Sequence, residues 1–459
     1  MEVKKQLEKS KHLIIIGIAL LFVIPTIAAV YYAITLPVSF DEATTFLLFT
    51  HKGFIESVTT YPAPNNHVLH SVITNFTKNI PYLTDLFKLR ISSIVVNFLV
   101  MLVLYKFVSK HFNKKLALVV VAVSSTLFMT VYYSYMSRGY ALLNLFFIIN
   151  LYCAFNIIKE ENQRNSWLVF CISSVCGFYT MPSFLYPFIT INFFILLLHK
   201  KAIGKLFIVN VITILLVVLT YLPILYHEGI GAIINNPYVQ PIGFLETITS
   251  LPKFYLKTIQ EISGIHWIIM LCLLLFSSYT IIKSNDKITK WFTIIFILAP
   301  IVLLSLHGVI PFVRVFFYYN SILVLLLCLP LNKQINQLNY KALLPILVLI
   351  QCLLLLNFNS KIYDYEDKDG AINITSNTII QKIIGDKKYF INGTLLACNL
   401  EFNLISKGYK KYEIKEVYDR SVNADTIHHF DYIIIDKERD ETKNMKAFLT
   451  TDYYSIYKK

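Results

Sequence analysis

Two adjacent carboxylates, Asp41 and Glu42, follow an uncharged apolar run from Leu13 to Thr35. Side by side they repel each other, and the edge of a bilayer offers them no packing role. Paired acids in such a place serve a proton, a cation or a polar substrate. The same stretch continues through Pro62-Ala63-Pro64-Asn65-Asn66-His67 to His70. Two arginines stand isolated in apolar surroundings, Arg138 in Tyr135-Met136-Ser137-Arg138-Gly139-Tyr140 and Arg314 between Trp291 and Leu331. A guanidinium at headgroup depth suits bidentate capture of a phosphate. The competing role for each arginine is an interfacial anchor that snorkels to water. For His67 and His70 a plain polar contact competes with metal ligation, and His227-Glu228 reads first as an ordinary loop end.

The elements that must position these residues are membrane helices. The 459 residues are 56% hydrophobic, only 15% charged, and have a mean hydropathy of +0.58. Uncharged runs near ~20 residues recur along the chain, the mark of a polytopic α-helical membrane protein. Eleven spans are predicted, at 13–35, 88–108, 116–135, 139–158, 165–179, 183–199, 206–226, 263–282, 291–307, 312–331 and 342–358. The first run is too long for a signal-peptide core and lacks an Ala-x-Ala site, so it is read as a retained helix. With the N-terminus inside, the inner loops collect 18 of the 26 basic residues that precede Lys361. That bias puts the N-terminus in the cytoplasm and the C-terminal tail outside. Two outer loops are then long, 37–87 and 226–262. Asp41, Glu42, Asn65, Asn66, His67, His70, Arg138, His227, Glu228 and Arg314 all fall on the outer face. The pieces Glu42–His51 and Phe244–Ile262 have an amphipathic pattern suited to the interface.

The chain divides into a membrane module, 1–360, and a tail, 361–459. The formal net charge of +14 suggests nucleic acid only until it is located. The tail holds 16 basic and 16 acidic residues, so the excess lies in the membrane part and follows the inner loops. A nucleic-acid partner loses its support, and the lipid bilayer is the partner the composition requires. The tail reads as a small extracytoplasmic α/β domain, with strands near 388–392, 411–418 and 431–436 and helices near 374–385, 395–407 and 438–449. It has no Gly-rich phosphate loop. The pair His428-His429 is read as solvated surface, because a lone His pair is not a complete ligand set. Of the seven cysteines only Cys398 lies in the tail, so no disulfide is available within it.

A carboxylate at the outer face can deprotonate a hydroxyl. Arginines can hold a lipid-linked phosphate as it leaves, and a groove between helices can hold a prenyl chain. Here the residues resemble a known family. An Asp-Glu pair after the first membrane helix, followed by Pro-x-Asn-Asn-His-x-x-x-Ser from Pro64 to Ser71, resembles bacterial GT-C glycosyltransferases. The resemblance is to the branch of the protein O-mannosyltransferases and the lipid A aminoarabinose transferase. Ser137-Arg138-Gly139-Tyr140 is similar to the Ala/Ser-Arg-x-Tyr element of that branch. Gly177-Phe178-Tyr179-Thr180-Met181-Pro182-Ser183 is similar to its Tyr-Thr-x-Pro turn, and Arg314-Val315-Phe316-x-Tyr318 to its late Arg element. The likeness runs from about residue 10 to 330.

The resemblance implies an extracytoplasmic site in the bacterial cytoplasmic (inner) membrane. It implies a polyprenyl-phosphate-linked sugar donor, an acceptor hydroxyl on a glycan, lipid or protein, and inversion at the anomeric carbon. Carried over, Asp41 is the general base, with Glu42 beside it positioning substrate. Asn65, Asn66, His67, Arg138, Tyr140, Tyr179 and Arg314 form the substrate-binding set, the two arginines on the donor phosphate. Branches of the family differ in using a divalent metal such as Mg or Mn. Asp41, His67 and Glu228 are the candidate ligands here. Two other classes compete: a transporter or flippase of a polyprenyl-linked sugar, and a non-catalytic scaffold of envelope assembly that docks through the tail. The first needs polar groups at mid-membrane depth, for which Asn97, Asn144, Asn150 and Asn210 are the candidates. The second leaves Asp41, Glu42 and the arginines without a role.

Overall fold

A computed structural model describes residues 2–62, 65–235, 241–284, 286–365, 367–383, 387–416, 430–437, 447–451 and 453–458. Within them, six helices are long and apolar enough to cross a membrane, or up to eight if each of two bent helix pairs forms one span. They include His12–Thr35, Asp85–His111, Tyr140–Ile158, Lys200–Glu228, Lys287–His307 and Tyr340–Tyr365. Six of the eleven expected spans coincide with these helices, and the other five fall on shorter or bent pieces.

The breaks have local causes. The predicted span 116–135 is two helices, Lys114–Ser124 and Phe128–Tyr135, bent by 72°. Between them the hydroxyls of Ser125 and Thr126 donate back to the carbonyl of Ala122, which draws backbone bonding away from a continuous helix. Helix Phe244–Ser263 ends at Gly264, whose φ of +70° is left-handed, and the chain leaves at 98° into Trp267–Ile282. The uncharged stretch 165–199 divides at Met181-Pro182 into helices Gln163–Thr180 and Leu185–Leu198. The stretch read as the span 312–331 is a short 3₁₀ turn, Val313–Phe316, followed by helix Tyr319–Cys328.

The helical core is dense in aromatic rings. Phe107, Phe147, Phe155, Phe170, Phe194, Phe292 and Phe296 are all buried there. Apolar side chains on the outer sides of His12–Thr35 and Lys200–Glu228 remain exposed, as a lipid-facing surface requires.

The tail forms a five-stranded sheet of β1 (Lys388–Asn392), β2 (Glu413–Glu416), β3 (Tyr432–Asp436), β4 (Leu449–Thr450) and β5 (Tyr454–Lys458), in the order β2-β1-β3-β5-β4. β1 runs parallel to β2 and β3, and β3 runs antiparallel to β5. Helix Thr394–Ser406 makes the crossover that the parallel β1–β2 pair needs. Tyr389, Ile391, Ile434 and Ile456 pack under that helix and under Asp367–Ile383. The sequence pattern did not mark β5. Most of the expected helix 438–449, and His428-His429, lie outside the described residues, while Leu449 belongs to β4.

The tail packs directly on the segment that carries Asp41. Phe402 stands edge-on to Phe46 at 5.1 Å, in a cluster with Val38, Ala43 and Leu89. Asn373 Nδ2 donates to the Val38 carbonyl at 2.6 Å. The stretch Glu42–His51 is therefore covered by protein over Phe46, where its amphipathic pattern suggested a helix lying on the interface. Phe402→Ala is expected to cost about 3–5 kcal/mol of packing. Amide hydrogen exchange in residues 38–47 is expected to quicken; unchanged exchange there would show that the tail does not brace this segment.

Candidate active site

Asp41 and Glu42 occupy the first turn of helix Phe40–Thr45, which a capping box fixes. Ser39 Oγ accepts from the Glu42 N–H at 3.3 Å, and Glu42 Oε2 accepts from the Ser39 N–H at 3.1 Å. Successive residues on a helix diverge, so the two acids part company. Asp41 reaches the open side, with a quarter of its side chain exposed. Glu42 turns inward and is fully buried.

Glu42 meets Arg90, also fully buried, in a bidentate pair: Nε to Oε1 at 2.9 Å and Nη2 to Oε2 at 2.6 Å. The same guanidinium donates to the carbonyls of Ala33, Leu36 and Pro37, which close the first membrane helix. Glu42 Oε1 also accepts from the Ser137 N–H at 2.7 Å. Arg90 and Glu42 thus tie three things together: the end of the first helix, the Asp41 turn and the turn that holds Arg138. The expected substrate-positioning neighbour of Asp41 is, in the structure, the centre of a buried clasp. Arg90 escaped the sequence reading. Its signal was present: an ionisable residue just inside an apolar span needs an acid partner.

Arg138 is buried in the turn before Tyr140. Its Nη1 donates to Thr45 Oγ1 at 2.6 Å, to the Asn65 carbonyl at 3.0 Å and to the Asp41 carbonyl at 3.4 Å. His67 Nδ1 accepts from the Gly139 N–H at 2.8 Å, so the neutral ring carries its proton on Nε2. That proton faces Arg138 Nη2 at 3.4 Å, donor against donor. Among the described residues Arg138 Nε is buried without a hydrogen-bond partner. Arg314 Nη1 donates to Asp41 Oδ2 at 2.9 Å, and its guanidinium lies over the Phe312 ring at 4.8 Å. One carboxylate is therefore outnumbered by cationic and neutral donors, an arrangement that suits an anion.

The remaining candidates divide between this cluster and its supports. Tyr140 is buried edge-on to His67 at 5.0 Å and so lines the same pocket of residues. Asn66 is a brace: its Nδ2 donates to the carbonyls of Ser57 and Thr60, and its Oδ1 accepts from Ser71 Oγ. Asn65 contributes its backbone carbonyl to Arg138. Tyr179 packs on Tyr221 at 5.8 Å, in a separate cluster with Tyr61 and Val68. Glu228 accepts from the Tyr61 N–H at 2.8 Å, anchoring the loop. Among the described residues no three His, Cys, Asp or Glu side chains converge to hold a metal. Asp41 faces Arg314, and His67 turns one ring nitrogen to a backbone donor. Arg138 and Arg314 would repel a cation, so the residues present do not fit Mg or Mn.

Gly139 is required by this crowding. A Cβ there would stand 2.8 Å from both His67 Cβ and Thr180 Cγ2. Gly139→Ala is expected to cost about 1–3 kcal/mol by overpacking and to push His67 off its backbone donor. A melting curve unchanged from that of the wild type would show that the turn can yield.

Burial, with Arg138 adding to it, holds His67 well below the usual imidazole range and pushes His70 down to about 3. His70 Nε2 lies 3.0 Å from Ser137 Oγ, on the far side of the same turn. Both rings are therefore neutral where the unfolded chain begins to protonate, near pH ~6.5. Below that value the unfolded state gains protons that the folded state refuses, so stability falls as pH drops from about 6.5 toward 3. His70→Gln is expected to flatten part of that decline in pH-resolved thermal unfolding. An identical slope would place the linkage elsewhere.

No family model matches the chain, and no curated protein matches it in sequence. Solved structures do share its architecture. ArnT from Cupriavidus metallidurans in the apo state superposes with a TM-score of 0.68 at 10% identity, covering 96% of this chain and 97% of that one. The same protein bound to undecaprenyl phosphate gives 0.66 at 9% identity over the same shares. The archaeal oligosaccharyltransferase AglB from Archaeoglobus fulgidus, in complex with an inhibitory peptide and a dolichol-phosphate, gives 0.54 at 12% identity. It covers 91% of this chain and 69% of its own. Both neighbours are GT-C proteins, and the chain is built on the GT-C fold.

Proposed function

We propose that the chain is an inverting glycosyltransferase, moving a sugar from a polyprenyl-phosphate-linked donor to a hydroxyl at the outer face of a bacterial cytoplasmic membrane. The observation that carries this reading is the cluster of Arg138, His67 and Arg314 donors around the single open carboxylate of Asp41. The fold adds support, because ArnT has been captured with undecaprenyl phosphate. The distribution of lysines supports the N-terminus inside and the tail outside, where the acceptor arrives.

In this reaction Asp41 takes the proton of the acceptor O–H. The oxygen attacks the anomeric carbon from the face opposite the phosphate, and the C–O bond to the phosphate breaks. The electron pair leaves with the phosphate, whose growing charge is met by Arg138, Arg314 and His67 Nε2–H. The base supplies on the order of 10²–10⁴-fold, and charge stabilisation at the leaving group supplies more. Two polar residues of the transporter alternative are engaged within the helices: Asn150 donates to Ser174, and Asn210 to Asn192. They brace helix pairs.

Mass spectrometry of lipids co-purifying with the wild type and with Arg138→Ala tests the donor class. A polyprenyl phosphate or its glycosylated form, present in the first and depleted in the second, is expected. Ordinary phospholipid alone in both would remove the donor from the proposal.

A further inference from the structure

The two arginines beside Asp41 are held very differently. Arg138 is buried, and its Nη1 is fixed by Thr45, Asn65 and the Asp41 carbonyl. Arg314 has more than a third of its side chain exposed, sits on a 3₁₀ turn, and has one ionic contact, to Asp41 Oδ2. The Glu42–Arg90 pair, wholly excluded from solvent, cannot exchange partners without stranding a charge. A partly exposed pair such as Asp41–Arg314 is weak by comparison and can exchange. In the structure as it stands, Arg314 occupies a lone pair of the one carboxylate placed to accept a proton.

We infer that Asp41 and Arg314 form a donor-displaced pair: the lipid phosphate takes Arg314 from Asp41, and the carboxylate becomes available as a base only when the donor is seated. The inference rests on the glycosyl-transfer reading above and specifies how donor binding is coupled to acceptor activation. Arg138 is buried, so an anion drawn to it and to the His67 Nε2–H meets the part-exposed Arg314 first, where Asp41 Oδ2 now bonds it. The donor's phosphodiester carries one negative charge, which rises to two as the sugar–phosphate bond breaks, so its hold on the guanidinium tightens along the reaction. The exchange needs no backbone movement, only rotation of a side chain that already rests on Phe312. With the donor absent, Asp41 stays masked and acceptor hydroxyls or water are not activated to no purpose.

The test is a double-mutant cycle on the full-length chain in nanodiscs, with undecaprenyl phosphate as probe and undecaprenol as the uncharged control. If binding must first break the Asp41–Arg314 pair, Asp41→Asn tightens undecaprenyl phosphate binding by about fivefold or more. Arg314→Ala weakens it by about tenfold, and Arg314→Gln serves if the alanine variant does not fold. In the Arg314 variant, adding Asp41→Asn then changes affinity by less than about twofold, because the pair is already gone. The same tightening in both backgrounds would reduce the effect of Asp41 to general repulsion and overturn the exchange. No tightening in either would do the same, while leaving the donor class standing. Wild-type affinity no higher for undecaprenyl phosphate than for undecaprenol would bring down the glycosyl-transfer reading itself.

Discussion

Asp41→Asn is expected to lower transfer by about 10²–10⁴-fold while the protein folds and melts as the wild type does. The asparagine keeps the shape of the side chain and a carbonyl that Arg314 can still bond, so the helix Phe40–Thr45 loses little. Its capping box depends on Ser39 and Glu42. The Asp41–Arg314 pair is partly exposed, and such pairs contribute about 0–1 kcal/mol. What disappears is, among the described residues of the cluster, the one group that can take a proton from a hydroxyl: Arg138 and Arg314 are permanent cations, and His67 Nδ1 is occupied by the Gly139 N–H. The effect is read in membranes as consumption of the lipid-linked sugar, followed by mass spectrometry, together with a thermal unfolding curve. Transfer retained at the wild-type rate would remove Asp41 as the base and with it the assignment of mechanism.

The open part of this site was legible because it follows from chemistry that a bilayer makes costly. Asp41 and Arg314 are 273 positions apart, yet an acid and a lone arginine at one membrane face have few partners available besides each other. The supports were not legible, because periodicity says which residues share a face and nothing about which carbonyl a side chain will reach. Glu42 looked like a second site acid because it neighbours Asp41 in sequence. The turn of a helix sends it the other way, into Arg90. Asn66 and Glu228 carry site-type groups and serve to brace the loop.

Helix continuity failed in a related way. Hydropathy sums over Ser125-Thr126 as if the chain ran straight, although hydroxyls bonding backward turn it sharply. The first three strands and helix Thr394–Ser406 of the tail were readable from apolar alternation. Its contact with Phe46 was not, since nothing in the local pattern of Phe402 names a partner in another module.

The clasp makes the second large prediction, and it is opposite in kind. Arg90→Ala leaves Glu42 buried with only the Ser39 and Ser137 N–H groups to balance it, and it exposes three carbonyls at the end of the first helix. Breaking one side of a buried pair costs about 3–5 kcal/mol, a large share of a protein's net stability. The melting temperature should fall well below that of Asp41→Asn, and transfer should fall with it, because Asp41 and Arg138 lose the residue that sets their separation. Replacing both partners, as Glu42→Gln with Arg90→Met, removes the stranded charge and is expected to recover part of the stability. It is not expected to recover transfer, because the Ser137 turn is no longer drawn to the Asp41 helix by a charged acceptor. Stability and activity recovering together would mean that the clasp does no more than hold the fold. Stability recovering alone would separate its two tasks and make Glu42 and Arg90 positioning residues for the chemistry at Asp41.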